Sequence, residues 1–273
     1  MHDNEHFHSD AYPPREIARN VERLGVVKAE TDTVTLLVLA VLAGAFISLG
    51  ALFSTLVVSG SELGVGPTRL LGGLAFCLGL VLVIVAGAEL FTGNNLIAMA
   101  WASGLITTRQ VLRNWLLVYV GNIAGCLGTV VLVAWAGTEA VAGGAVAKTA
   151  IGVAQGKAEL PFATAFARGI LCNALVCLAA WLTLGGRSVV DRICAIVFPI
   201  TAFVALGFEH SIANWFLLPW ALLLDDRAIS ASAFATNIVA VTLGNIVGGT
   251  LLVAGVYWVA YLRRGQLGSS ARS

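Results

Sequence analysis

Charge is what this 273-residue chain has least of. Asp, Glu, Lys and Arg make up only 11% of it, against 58% hydrophobic residues, and its mean hydropathy is +0.89. An ordinary soluble domain carries about 25% charged residues, so that class is excluded and a polytopic membrane protein is implied. The formal net charge of +1 gives no footing for nucleic acid as a partner. Histidine is almost missing beyond the N-terminal tail: His2, His6 and His8 stand at the start, and His210 is the single one elsewhere. A hydrophilic tail accounts for the first three more simply than a metal cluster does. A haem between helices takes paired histidines or a His/Met pair. His210 and Met99 are all the spans offer, which argues against a membrane redox subunit. The five cysteines, Cys77, Cys126, Cys172, Cys177 and Cys194, lie in apolar stretches and form no CxxC, so they read as buried thiols, not as a metal or disulfide set. No metal, cofactor or catalytic residue is expected. The Asn-Pro-Ala pair of a water or glycerol channel is also missing. The first 32 residues are hydrophilic, so no cleavable signal peptide is read there, and the first span serves as the insertion signal.

What is present is length enough for six crossings of about 20 apolar residues each. They are Thr33–Val58, Leu70–Ala88 continuing brokenly to about Gly104, Asn114–Gly137, Phe162–Leu184, Ile193–Leu224 with an interruption, and Ala231–Leu262. Before them, Ile17, Val21, Leu24 and Val27 recur at helical spacing, which predicts a short amphipathic helix in the membrane interface within the tail 1–32. The transport domain is read as 33–262, followed by a tail at 263–273. Of the 16 Lys and Arg residues, eleven fall on the side of the two termini and five on the other, which predicts both termini in the cytoplasm.

The two halves resemble each other. "VGNIAG" at Val120–Gly125 recurs as "LGNIVG" at Leu243–Gly248, and Asn114 and Asn237 share that offset of 123. "GAELFTGNN" from Gly87 and "GFEHSIANW" from Gly207 share a frame, Gly-x-Glu with an Asn five residues after the Glu, at an offset of 120. Gly44 and Ser48 parallel Gly169 and Asn173. Each repeat, 33–137 and 162–262, holds three spans, an odd number, so the second must enter the bilayer upside down. Inverted repeats broken at matching places lay out a transport path near the midplane. In the two Gly-Asn-Ile-x-Gly motifs, glycines four apart let helices approach closely; packing suffices for them, and they are given no substrate role.

A helix broken inside a membrane frees backbone groups, tolerated only if buried in protein or lining a wet cavity. Glu89 and Glu209 are expected to accept hydrogen bonds from the freed N–H groups, and Asn94 and Asn214 to satisfy carbonyls. Their symmetry favours this supporting role. Half-helices restarting after each break would point positive dipole ends inward, which suits an anion. His210 has Leu90 as its counterpart, so symmetry does not require it. An ionisable group at that depth is a functional candidate, able to act as proton donor or positive charge.

"GAELFTGNN", "GNIAG", "RGILCNALVCLAAW", "GRSVVDRICAIVFPITAFVALGFEHSIANWF" and "LGNIVGG" together resemble the formate/nitrite transporter family, bacterial formate channels in particular, from about Ala11 to Leu262. The resemblance implies an all-α homopentamer of aquaporin-like protomers in a bacterial inner membrane, each with its own pore. It carries the family's central histidine onto His210, its pore threonine onto Thr92 and the fourth-span asparagine onto Asn173. An outer-loop lysine that draws anions falls on Lys157. The apolar constrictions fall on Phe76, Leu80, Phe91, Val176 and Phe203. Formate, nitrite and hydrosulfide are conjugate bases of weak acids, and protonation abolishes the cost of taking them through a dry throat. The expected activity is thus transport of small weak-acid anions with protons as partners. Formate comes first, on the strength of "AYPPREIARNVERLGVVKA"; nitrite follows, then hydrosulfide or short monocarboxylates.

Overall fold

The computed structural model describes residues 11–263; His2, His6, His8 and the tail from Arg264 lie outside the described residues. All regular structure among the described residues is helical. Five helices are long and apolar enough to cross a membrane: α2 (Thr33–Val58), α3 (Val65–Val81) with its continuation to Gly87, α6 (Thr108–Trp135), α8 (Phe162–Thr183), and α11 (Ala231–Val247) running through a wide π-helical turn, Gly248–Gly255, into α12 (Val256–Tyr261). The fifth span read in the sequence is divided into two shorter helices, α9 (Val189–Ala205) and α10 (Ser211–Leu224). After α3 the chain breaks and restarts as two short pieces, α4 (Phe91–Asn94) and α5 (Ala98–Ala102). Both interruptions foreseen in the sequence are therefore present.

Glycine turns the chain at each break. Gly87 sits at φ +85° and Gly207 at +71°, a region that any L side chain enters at a steric cost. Two further glycine pairs set the closest helix crossings. A Cβ on Gly44 would lie 2.0 Å from the carbonyl oxygen of Asn122, and one on Gly125 equally close to that of Val41, so α2 and α6 touch backbone to backbone. A Cβ on Gly248 would lie 2.2 Å from Ile170 O and one on Gly244 2.3 Å from Phe166 O, so α8 packs onto α11 and its continuation in the same manner.

The N-terminal helix departs from its expected place. α1 (Pro14–Glu30) starts on Pro14, where a missing N–H costs nothing. Ile17 and Val21 are buried in the protein with Leu96, Met99 and Trp181, while Leu24 and Val27 are 39% and 62% exposed. α1 is thus packed under the bundle by one edge of its apolar face and not laid wholly in the interface. A second difference lies between the third and fourth spans. The stretch read as an outer loop contains α7 (Ala145–Ala158), and Lys157 stands in its last turn. Each repeat consequently has an extra helix before its first span, α1 in one and α7 in the other.

Candidate functional site

Each break leaves backbone polar groups at membrane depth, where hydrocarbon offers no partner. One asparagine per repeat serves them. Asn122 Nδ2 donates to Ala40 O at 2.7 Å and Glu89 O at 2.9 Å, and its Oδ1 accepts from Phe91 N at 2.9 Å. Asn245 Nδ2 donates to Gly169 O at 2.8 Å and Glu209 O at 3.0 Å, and its Oδ1 accepts from Ser211 N at 2.9 Å. Both are fully buried. They are the asparagines of the two Gly-Asn-Ile-x-Gly motifs, for which packing had sufficed. The glycines do pack; the asparagine between them holds a break in shape.

The carboxylates therefore do not have the role expected of them. No freed N–H reaches either side chain. Glu89 accepts from Lys28 Nζ at 2.7 and 2.8 Å and from Asn94 Nδ2 at 2.7 Å. Asn94 Nδ2 also donates to Asn114 Oδ1 at 2.9 Å, and Asn114 Nδ2 returns to Lys28 O at 3.0 Å. The second break repeats the ring. Lys157 Nζ reaches Glu209 at 3.0 Å, Asn214 Nδ2 donates to Glu209 at 2.7 Å and to Asn237 Oδ1 at 2.8 Å, and Asn237 Nδ2 donates to Lys157 O at 2.9 Å. Asn94 and Asn214 thus bind side chains and not carbonyls. A carboxylate this deep is held by a countercharge plus further hydrogen bonds, since a lone charge there is costly. These are the two ion pairs among the described residues. Lys28, Asn114 and Asn237 were not read as site residues. The shared offset of the two asparagines was the available signal, as was a lysine shortly before the first and fourth spans alike.

Between the breaks lies His210, the N-cap of α10 and fully enclosed. Its Nδ1 accepts from Ala213 N at 3.1 Å. An accepting Nδ1 carries no hydrogen, so the neutral ring keeps it on Nε2, which donates to Thr92 Oγ1 at 3.0 Å. Thr92 then has its own hydroxyl hydrogen to give. Asn173 is committed elsewhere. Its Nδ2 lies 3.2 Å from Thr92 O, 2.7 Å from Asn95 Oδ1 and 2.6 Å from Asn245 O, three acceptors for two hydrogens, and so ties the first break to α11.

Two cavities approach this waist from opposite ends of the bundle. One, of about 470 Å³, is lined by the start of α2 at Leu39, the end of α3 at Leu80 and Val83, the end of α8 at Val176 and Ala180, and the first break with Lys28 and Glu89. The other, of about 510 Å³, is lined by the end of α2 at Thr55, the start of α3 at Arg69, the start of α8 at Arg168, and the second break with Lys157, Glu209 and His210. α2 and α8, equivalent helices of the two repeats, therefore run antiparallel, as an inverted repeat demands. Phe76 and Phe203 face the second cavity with ring centroids 5.4 Å apart, and Phe203 stacks on His210 at 5.9 Å. Leu80 faces the first cavity, one helical turn beyond Phe76, so the cavities come within roughly 6 Å along α3. Phe91 lines neither; its ring packs on Tyr119 at 4.8 Å. The waist so assembled holds His210, Phe76, Phe203, Leu80 and Val176 on the cavity walls, with Thr92, Phe91 and Asn173, which line neither cavity, as its frame.

Two cavities approaching a buried polar waist from opposite ends, between inverted, broken-helix repeats, are the layout of a membrane transport protein. A family profile described as "Formate/nitrite transporter" matches residues 15–259. The chain belongs to the formate/nitrite transporter family. It is 40% identical to the formate channel FocA of Escherichia coli K12, over 93% of this chain and 96% of that one, and 38% identical to a probable formate transporter of Methanothermobacter thermautotrophicus, over 92% and 97%. Among solved structures it is similar to a "Pentameric formate channel with formate bound", with a TM-score of 0.78 and 38% identity over 84% of this chain and 98% of that one. A chain titled "FNT family ion channel" gives a TM-score of 0.80 at 29% identity, over 90% and 98%.

Proposed function

We propose that the protein carries formate, and with it nitrite and other small weak-acid anions, through a pore in each protomer of a homopentamer in a bacterial inner membrane, with both termini cytoplasmic. The observation that carries this reading is His210, which lines the second cavity and binds the buried Thr92, set where that cavity and the one from the opposite end draw near each other. An anion drawn into either cavity meets Phe76 and Phe203, or Leu80 and Val176, and these apolar side chains cannot solvate charge. It accepts a hydrogen bond from the Thr92 hydroxyl and one proton from hydronium in the cavity, crosses as the neutral acid, and returns that proton to water beyond. The His210 ring serves by donating Nε2–H to Thr92, which leaves the threonine hydroxyl aimed outward. With Nδ1 engaged by Ala213 N–H, the ring acts as a neutral donor more readily than as a cation. Strong-acid anions such as chloride cannot be neutralised and are held back. The chain has no enzymatic role in this scheme.

The test is uptake of formate, nitrite and hydrosulfide into proteoliposomes across a pH series, with His210 intact and as His210→Phe. Formate uptake that rises on acidification, and falls at every pH in His210→Phe, is the expected result. Uptake of none of the three, or a variant that carries formate as fast as wild type, rejects the scheme.

A further inference from the structure

The two cavities are not equally charged. Where the first break turns at Gly87, nothing lies within 4 Å of the position a Cβ would take. Where the second turns at Gly207, that position lies 3.4 Å from Arg69 Nη1 and 4.0 Å from Arg168 Nη1. Two guanidinium groups from different helices therefore converge on a gap left open by the missing side chain. Each spends one donor on the end of α9, Arg69 on Ala205 O at 3.0 Å and Arg168 on Gly207 O at 3.4 Å. Arginine has five N–H donors, and neither group has a carboxylate partner among the described residues.

The lysines behind them differ in the same direction. Lys28 gives three hydrogen bonds, to both oxygens of Glu89 and to Asn94 Oδ1 at 2.9 Å. Lys157 gives one, to Glu209, and the buried Asn214 Oδ1 has no partner. Ammonium donors are thus used up at one mouth and left over at the other. Glu209 is the one carboxylate lining the second cavity, against three cations, Arg69, Lys157 and Arg168.

We propose that Arg69 and Arg168, backed by Lys157, form a capture seat for a planar monovalent oxyanion at the mouth of the second cavity, ahead of His210. A guanidinium fork matches two coplanar oxygens and has no such match to a sphere. The seat therefore favours carboxylate and nitrite over hydrosulfide and chloride, and it ranks substrates before the waist does. This rests on the transport reading above.

Two arms test it. In wild-type proteoliposomes, nitrate is planar and chloride is not; nitrate applied on the Arg69 face competes with formate, chloride at equal concentration does not, and neither competes from the opposite face. In Arg168→Gln and Arg69→Gln, which keep a donor for the Ala205 and Gly207 carbonyls, the half-saturating formate concentration from that face rises at least tenfold, the effect of one charge-assisted hydrogen bond, while hydrosulfide flux changes far less. Arg168→Lys keeps the charge and loses the preference for formate over hydrosulfide. Wild-type formate uptake with equal competition by nitrate and chloride, or variants that match wild type for both substrates, would show that the arginines only cap α9 and would overturn the seat alone. A wild-type protein that carries none of the anions overturns the transport reading and the seat together.

Discussion

The two helix breaks are built to one plan and finished differently. Each has a left-handed glycine, a carboxylate paired to a lysine from the helix before its repeat, and an asparagine on a neighbouring span that caps the loose backbone. Those shared parts answer the shared problem, an interrupted helix in hydrocarbon. The parts that differ are those to which the chemistry proposed above is assigned. His210 stands where the first break has Leu90, and arginines crowd Gly207 where Gly87 has open space. Symmetry marks what the fold requires, and departures from it mark what the site uses.

The largest effect expected is from the caps. Asn122→Ala and Asn245→Ala each orphan two buried backbone groups of a break, Glu89 O with Phe91 N and Glu209 O with Ser211 N, at about 1–3 kcal/mol per group. Both should lose folded, assembled protein, measured as the recovered fraction on size exclusion in detergent. If one tolerates the change, the breaks are not equivalent in architecture. The lysines sharpen the comparison further. Removing one partner of a buried ion pair costs about 3–5 kcal/mol when the other stays enclosed. Glu209 is 3% exposed and Glu89 14%, so Lys157→Met should lower the melting temperature more than Lys28→Met. Lys157→Met with Glu209→Leu should recover most of the loss, since no charge is left stranded.

Thr92→Val tests the waist alone. It keeps shape and removes the hydroxyl between His210 and the pore, so formate flux should fall at least tenfold, on the scale of one lost hydrogen bond to an ion, with assembly unchanged. The smallest effect is at the edge of the bundle. Asp32 caps α2 by accepting from Val34 N and Thr35 N, and the Thr35 side-chain hydroxyl first, then these backbone N–H groups, hold its carboxyl below the ordinary value of 3.8. Its contribution is complete above that ordinary value and fades as pH falls through the lower, folded one. Asp32→Ala should lower thermal stability slightly at neutral pH and not at all in strong acid.

Much of this was legible in the chain. The spans, both breaks and the duplication follow from charge-free runs and fixed offsets, because hydrocarbon permits few alternatives. The partners of Glu89 and Glu209 were not legible. A carboxylate followed by an asparagine says that polar groups must be satisfied, but Lys28 is 61 residues from Glu89 and Lys157 is 52 from Glu209, and no local period joins them. α7 was hidden because "AVAKTAIGVAQGKA" is too short for a span and too polar for an apolar run. The asparagines inside the glycine motifs were masked by the glycines, whose packing role is real and sufficient on its face. The direction of Asn173, aimed at backbone, depends on three chain segments meeting and has no sequence signature.

The waist is stitched across the repeats. Thr92 holds His210, Asn173 holds Thr92 O, Trp215 holds the Tyr119 hydroxyl, and that hydroxyl holds Thr242, each pair drawn from opposite halves. A carrier that rocks one half against the other would have to tear these seams at every turnover. Transport as proposed above would therefore run through a standing passage, with traffic metered by the dehydration and protonation of the cargo and not by a swinging scaffold.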